Sequence, residues 1–288
     1  MAEKLDVDLT NAVTLVTGAT GGIGKEIARG LARLGASIVV GARNLDRGEA
    51  ARADIATGVT DPARVSVMKL DVADQASIRA FGDAFRERFG ALTVLVNNAG
   101  AWFTDRRQSP DGIELTFATN VLGPHLLTEL LLEPLRASGH GRVVNVVSEF
   151  QGNYDGTDLQ FNRRPYDGFK AYNQSKQALA MLTWGLASRL AGTRVTANAT
   201  APGFVKTDFN QNAHGLRATM INLSARLFAV SPEKGADTPL WAAAAPELDG
   251  VSGKYFVGRK EKEAKSREPD AIAELERQCR DLTQTPSH

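Results

Sequence analysis

The sequence carries a single cysteine, Cys279, in 288 residues. Neither an internal disulfide nor a thiolate metal cluster can be built from it. A secreted disulfide scaffold is therefore excluded, and a reducing, cytoplasmic setting is expected. Neither sign of charge dominates: 34 lysines and arginines stand against 33 aspartates and glutamates, for a formal net charge of +1. A nucleic-acid binder normally carries a clustered basic excess, so no nucleic-acid partner is expected. No uninterrupted apolar run approaches the roughly 18–20 residues of a membrane span. Met1 to Leu9 alternates charged and apolar residues and lacks the apolar centre of a signal peptide. No membrane association is expected. The four histidines, His125, His140, His214 and His288, show no ligand spacing, so no metal site is expected.

Short β-branched runs alternate with longer helical patterns along the whole chain. Strands are expected at Val13–Thr17, Ser37–Val40, Val65–Leu70, Thr93–Val96, Arg142–Val147, Val195–Ala199 and Lys254–Val257. Helices are expected over Gly24–Leu34, within Asp46–Ala56, over Asp74–Phe89, within Gly112–Leu132 and over Ala171–Leu190. Such alternation favours an α/β fold, a Rossmann-type doubly wound parallel sheet of six to seven strands covered on both faces. No repeat or linker divides the chain, so residues 1–288 form one expected domain. Lys260 to Lys265 reads as a solvated charge run. An amphipathic surface helix over Asp270–Leu282 completes a helical tail at about 260–288. The apolar residues Phe209, Leu216, Met220, Ile221, Leu223 and Leu227 fit a lid over about 204–230 that closes on a hydrophobic or ring-containing substrate. A fixed surface helix pair is the alternative.

The chemistry starts at Thr17-Gly18-Ala19-Thr20-Gly21-Gly22-Ile23-Gly24, which follows the first strand and opens the first helix. Glycines permit positive φ and let backbone approach a pyrophosphate. The helix N-terminus adds free N–H groups and partial positive charge. No Gly-Lys-Ser/Thr follows, which disfavours a P-loop nucleotide triphosphatase. An NAD site usually carries Asp or Glu at the end of the second strand. Here Arg43 stands there and no acid does, so NADP(H) is preferred, Arg43 pairing with the 2′-phosphate. A merely solvent-exposed arginine is the other reading. Asp71, closing the third strand, either meets the adenine amino group or caps the next helix.

Tyr172 and Lys176 are four residues apart in a strong helical pattern and so share one face. A phenol near pKa 10 is a poor acid or base at neutral pH, and a neighbouring ammonium is expected to lower it. Tyr166 and Lys170 repeat the spacing, but they span Gly168 and follow Pro165, before the helical run begins.

The ordered set formed by the Thr17–Gly24 loop, Asn97-Asn98-Ala99-Gly100, Asn120, Ser148, Tyr172-x-x-Ser175-Lys176 and Pro202-Gly203-x-Val205-x-Thr207 resembles the short-chain dehydrogenase/reductase family from about Ala12 to Val257. The resemblance implies an oxidoreductase that interconverts a ketone or aldehyde with its alcohol. It implies Tyr172 as proton donor or acceptor, Lys176 holding the nicotinamide ribose, Ser148 on the substrate oxygen, and Asn120 interrupting its helix and holding a relay water. It further implies Gly18, Thr20, Gly22, Ile23, Gly24, Arg43, Asn44, Asp71, Val72, Asn98, Ala99, Gly100, Pro202, Gly203, Val205 and Thr207 as cofactor contacts. Ser148 and Tyr172 lie 24 residues apart, about twice the usual family separation. With Ser252-Gly253-Lys254-Tyr255-Phe256 and Arg43-Asn44, this spacing is similar to retinol dehydrogenase-like members. Glu149 departs from that group's second serine and puts a carboxylate near the substrate mouth, beside Trp102 and Phe204. Trp102 and Phe103 either line that pocket or pack in the core. A homodimer through the helices after the fourth and fifth strands is implied, unless the residues between Ser148 and Tyr172 block that face and leave a monomer. A non-catalytic dinucleotide sensor and a double-bond reductase are the competing functions.

Overall fold

A computed structural model describes residues 5–203, 230–264 and 266–285. Its centre is a single sheet in the order β3-β2-β1-β4-β5-β6-β7-β8. β1 (Val13–Thr17), β2 (Ser37–Ala42), β3 (Val65–Lys69), β4 (Val94–Asn97), β5 (Arg142–Val146), β6 (Thr196–Ala201) and β7 (Tyr255–Val257) run parallel. Parallel strands buried on both faces need apolar residues on both, and Leu15, Val16, Val39, Val40, Leu95 and Val96 are fully buried. The strand order reverses between β1 and β4. Open α/β sheets bind ligands outside the carboxyl ends of strands at such a switch point.

Two layers of helix cover the sheet. On one face α1 (Gly22–Arg33) and α2 (Leu45–Ala56) pack with α8 (Pro232–Ala244) over Val16, Val40, Val96 and Val144. On the other, α3 (Gln75–Phe89), α5 (Gly123–Leu130), α6 (Leu132–Ala137) and the end of α7 (Gly168–Arg189) close on Leu15, Val39 and Leu95. Capping side chains set where several helices start. Asn44 accepts from Arg47 N, Asp74 from Ala76 N and Ser77 N, and Asp167 from Phe169 N and Lys170 N. The α7 cap places Tyr166 outside the helix and Tyr172 inside its second turn.

Two features differ from the sequence expectation, and a third, the interruption at Asn120, agrees with what the resemblance implies. The presumed charge run contains β8 (Lys260–Lys262), which pairs antiparallel with β7 and makes the sheet eight-stranded. Its side chains are all exposed, Glu261 pairing with Lys254 at 2.8 Å, so no apolar alternation marks it. The single helix expected within Gly112–Leu132 is divided into α4 (Leu115–Phe117), a π-helical turn over Ala118–Leu122, and α5. The C-terminal helix, α9 (Pro269–Thr283), is more than a solvated surface element. Leu275 and Cys279 are fully buried against α7, and Arg189 on α7 bridges Glu129 on α5 and Glu276 on α9. α9 also reaches α3, where Gln75 Nε2 and Arg79 donate to the carbonyls of Leu282 and Thr283.

The residues between Ser148 and Tyr172 form a loop packed against the N-terminal half of α7. Asp158 accepts from the backbone N–H groups of Asn162, Arg163 and Arg164. The Arg164 guanidinium lies over the Phe161 ring at 4.1 Å and donates to Gln174 on α7 at 2.7 Å. Gln174 in turn bonds the backbone of Asp155 and Leu159. Among the described residues no helix is long and apolar enough to cross a membrane. The expected lid lies outside the described residues.

Candidate active site

The glycine-rich turn leaves β1 at Gly18, whose φ of 67° is the left-handed region glycine tolerates. Gly24 solves a different problem. A Cβ there would lie 2.6 Å from the Gly18 carbonyl oxygen and 2.4 Å from Asn98 Nδ2, so only glycine lets α1 pass this close to the turn. Asn98 Nδ2 donates to Thr17 O at 2.9 Å, and Thr17 Oγ1 accepts from Asn98 N at 3.0 Å and from Ala99 N at 2.9 Å. These bonds tie the carboxyl ends of β1 and β4 together across the switch point. No side chain caps the first turn of α1, so its N–H groups face outward for an anion. Thr20 and Gly22 are half-exposed at this surface, and Ile23 packs on the core below. A pyrophosphate-bearing dinucleotide fits the turn that a Cβ on Gly24 would disrupt, with the uncapped start of α1 beside it.

Around that cradle, Arg43 stands exposed beyond β2. Asn44 Oδ1 is engaged with Arg47 N at 2.9 Å. Asp71 Oδ1 accepts from Ala73 N at 3.0 Å, while Asp74 caps α3, so the capping role left open for Asp71 belongs to its neighbour. Val72 touches the start of α5 so closely that a Cβ on Gly123 would sit 2.1 Å from its carbonyl oxygen. Pro202 and Gly203 follow β6. Phe204, Val205 and Thr207 lie outside the described residues.

Asn120 occupies the π-helical turn, fully buried. Such turns accommodate a residue that does not fit the regular ladder. Asn120 Oδ1 accepts from Ala101 N at 2.8 Å, and its Nδ2 donates to Ala101 O at 2.9 Å and to Ser175 Oγ at 2.8 Å. Ser175 Oγ donates to Tyr172 O at 2.7 Å, so the β4 loop, the π turn and α7 are locked in one network. Both Nδ2 hydrogens and one lone pair of Oδ1 of Asn120 are engaged in this clamp.

Ser148 follows β5, buried, with Oγ accepting from Phe150 N at 3.0 Å. The Tyr172 hydroxyl is hydrogen-bonded to Ser148. Lys176, buried one turn along α7, donates from Nζ to Val146 O at 2.9 Å and lies 5.9 Å from the Tyr172 ring centroid. A Cβ on Gly100 would fall 3.2 Å from Lys176 Nζ and 3.4 Å from Asn120 Oδ1, so glycine keeps the space beside both. The fold thus brings Asn120, Ser148, Tyr172 and Lys176 together at the carboxyl ends of β4 and β5.

The electrostatics differ from the sequence expectation. Burial pushes the Tyr172 phenol up to about 12, opposed by its bond to Ser148, and pushes Lys176 down to about 8. Desolvation disfavours each charged form, and Lys176 points to the Val146 carbonyl instead of the phenol oxygen. The expected lowering of Tyr172 by Lys176 does not occur, and only the bond to Ser148 opposes burial. At neutral pH the phenol is protonated and the amine is mainly charged.

Trp102 and Phe103 are buried, so both belong to the packing around the site. Trp102 also begins a line of rings: Phe169 lies edge-on to it at 6.3 Å, and Phe150, half-exposed, lies edge-on to Phe169 at 5.9 Å. Glu149 is exposed, and its charge adds to the burial that pushes Tyr255 up to about 12. The other tyrosine–lysine pair is placed elsewhere. The Tyr166 hydroxyl contacts Glu114 at 3.1 Å, Thr116 at 3.2 Å and the Phe103 carbonyl at 3.3 Å, while Lys170 is exposed. Sequence reasoning missed Phe150 and Phe169 as a wall of this region and Lys69, whose Nζ donates to Arg43 O at 2.6 Å. The nearest sequence signal for the first two is an aromatic immediately after Ser148-Glu149. The Lys69 contact spans 26 residues and leaves none.

Residues 12–216 match the short chain dehydrogenase family. Over 256 residues the chain is 41% identical to retinol dehydrogenase 12 of Mus musculus, covering 87% of this chain and 79% of the relative. It is also 41% identical over 259 residues to polyprenol dehydrogenase of Mus musculus, covering 87% and 77% of the two chains. Among solved structures, gluconate 5-dehydrogenase from Burkholderia cenocepacia in complex with NADP and tartrate superposes with a TM-score of 0.67 at 28% identity, over 86% of this chain and 94% of that one.

Proposed function

The chain belongs to the short chain dehydrogenase family, on its retinol dehydrogenase-like branch, and we propose that it is an NADP(H)-dependent oxidoreductase interconverting an apolar or cyclic ketone or aldehyde with its alcohol. The observation that carries the reading is the meeting of Tyr172, Ser148 and Lys176 beside Gly100, at the switch point where the glycine-rich turn also ends. When bound, the nicotinamide supplies or accepts the hydride. The chain's own residues supply orientation and the proton. Ser148 donates to the substrate oxygen and stabilises negative charge as it develops there. Tyr172, protonated at neutral pH, hands its proton to that oxygen in reduction and takes one back in oxidation. Lys176 offsets the charge left on the phenol and, from beside Gly100, would hold the ribose. Gly18, Thr20, Gly22, Gly24, Asn98 and Ala99 would hold the pyrophosphate and its flanks, with Asp71 and Val72 at the adenine end.

The NADP(H) preference rests on Arg43, exposed beyond β2 where no carboxylate is present, and the NADP-bound neighbour is in keeping with it. The apolar substrate class is supported by the Trp102–Phe169–Phe150 wall and by relatives named for retinol and polyprenol, both apolar alcohols. Product analysis with deuterium at the transferable position of NADPH tests the reaction. Presented with apolar enals and enones, the enzyme is expected to place deuterium on the carbinol carbon and release the allylic alcohol. Deuterium on the β-carbon, in a saturated carbonyl product, would assign a double-bond reductase instead, and no transfer would leave a binding protein.

A further inference from the structure

We propose that Lys69 is a second cation of the cofactor's 2′-phosphate site and decides, together with Arg43, for NADP(H) over NAD(H); the inference rests on the NADP(H) reading above. β2 and β3 run in register with Ala42 opposite Lys69, so Lys69 ends its strand beside the last residue of β2. From there its side chain crosses the end of β2, and Nζ donates to the Arg43 carbonyl at 2.6 Å. Both residues are exposed.

Four cations nearby are matched by carboxylates, Lys25 by Asp54, Arg29 by Glu26 and Asp54, Arg52 by Glu49, and Arg64 by Asp61, while the exposed Arg47 on α2 has no ion-pair partner among the described residues. Among the described residues neither Arg43 nor Lys69 takes part in an ion pair. An ammonium has three donors and the Arg43 carbonyl uses one, which leaves two for an incoming acceptor. A phosphomonoester carries about −1.5 to −2 charges at pH 7, and one guanidinium neutralises only part of that. A planar fork and a compact point charge, anchored to each other through the Arg43 backbone, match a dianion better than an arginine alone on an exposed chain end. Lys69 also fixes the backbone of the residue that carries the fork.

Calorimetric titration of the full chain with adenosine 2′,5′-bisphosphate and with adenosine 5′-monophosphate, at one ionic strength, tests this. Lys69→Met keeps the apolar stem and removes the charge at an exposed site, so the fold is not put at risk. It is expected to weaken the bisphosphate about tenfold, the scale of one hydrogen bond to a charged group, and to leave the monophosphate within about twofold. Lys69→Arg is expected to retain most of the bisphosphate affinity. If Lys69→Met weakens both ligands equally, or neither, while Arg43→Ala still discriminates, the role of Lys69 is overturned and the NADP(H) reading stands. If the unaltered protein binds both ligands equally, the NADP(H) reading fails, and Lys69 with it.

Discussion

Replacing Tyr172 with phenylalanine is expected to lower turnover about a thousandfold while leaving dinucleotide affinity within about twofold. The change removes one oxygen. The ring stays, so its packing on α7 and the position of Lys176, fixed by the Val146 carbonyl and not by the phenol, are kept. On the proposed mechanism, what is lost is the proton source beside Ser148, to which the hydroxyl is hydrogen-bonded. Steady-state turnover on a carbonyl substrate, beside fluorescence titration with NADPH, separates the two effects. Turnover above about a tenth of the starting value would remove Tyr172 from the chemistry.

The second large effect is expected at Gly24. An alanine there would bring its Cβ to 2.6 Å from the Gly18 carbonyl and 2.4 Å from Asn98 Nδ2. The amide of Asn98 could move only by giving up Thr17 O, and the Gly18 carbonyl is main chain. Either the turn or α1 must shift. Overpacking of this kind costs about 1–3 kcal/mol, felt where the loop has to match a ligand. Gly24→Ala is expected to weaken dinucleotide binding by about 10- to 100-fold with helix content unchanged by circular dichroism. Unaltered affinity would show that the turn does not carry the pyrophosphate.

Much of the fold was legible because its signals are local. β-branched runs, apolar residues at helical spacing and the Gly18–Gly24 stretch report their own surroundings, and those elements fall within a few residues of expectation. Features set by distant partners were not legible. Helical periodicity does not show the break at Asn120, which the family resemblance alone implied; its side chain is claimed by Ala101 and Ser175, neither of which is near it in the chain. β8 forms from backbone pairing and one exposed ion pair, Lys254 with Glu261, and buries no apolar side chain. The depth at which α9 docks depends on Gly185, where a Cβ would meet Glu276 Oε1 at 2.4 Å. At the site, helical spacing put Tyr172 and Lys176 on one face but said nothing of where the ammonium points. The Val146 carbonyl claims it, and burial then governs both groups.

That balance defines the most direct measurement, the pH dependence of carbonyl reduction at saturating NADPH. With the phenol up near 12 it stays protonated throughout, so it is always able to donate. Lys176, brought down to about 8, is charged below that value and neutral above it, and on the proposed mechanism its charge offsets the phenolate formed as the proton leaves. The rate of reduction is therefore expected to be level up to about pH 7 and to fall as pH rises through about 8, while alcohol oxidation gains over the same range. A reduction rate that climbs between neutral and alkaline pH would mean that the proton comes from a group other than Tyr172, supported by something other than Lys176.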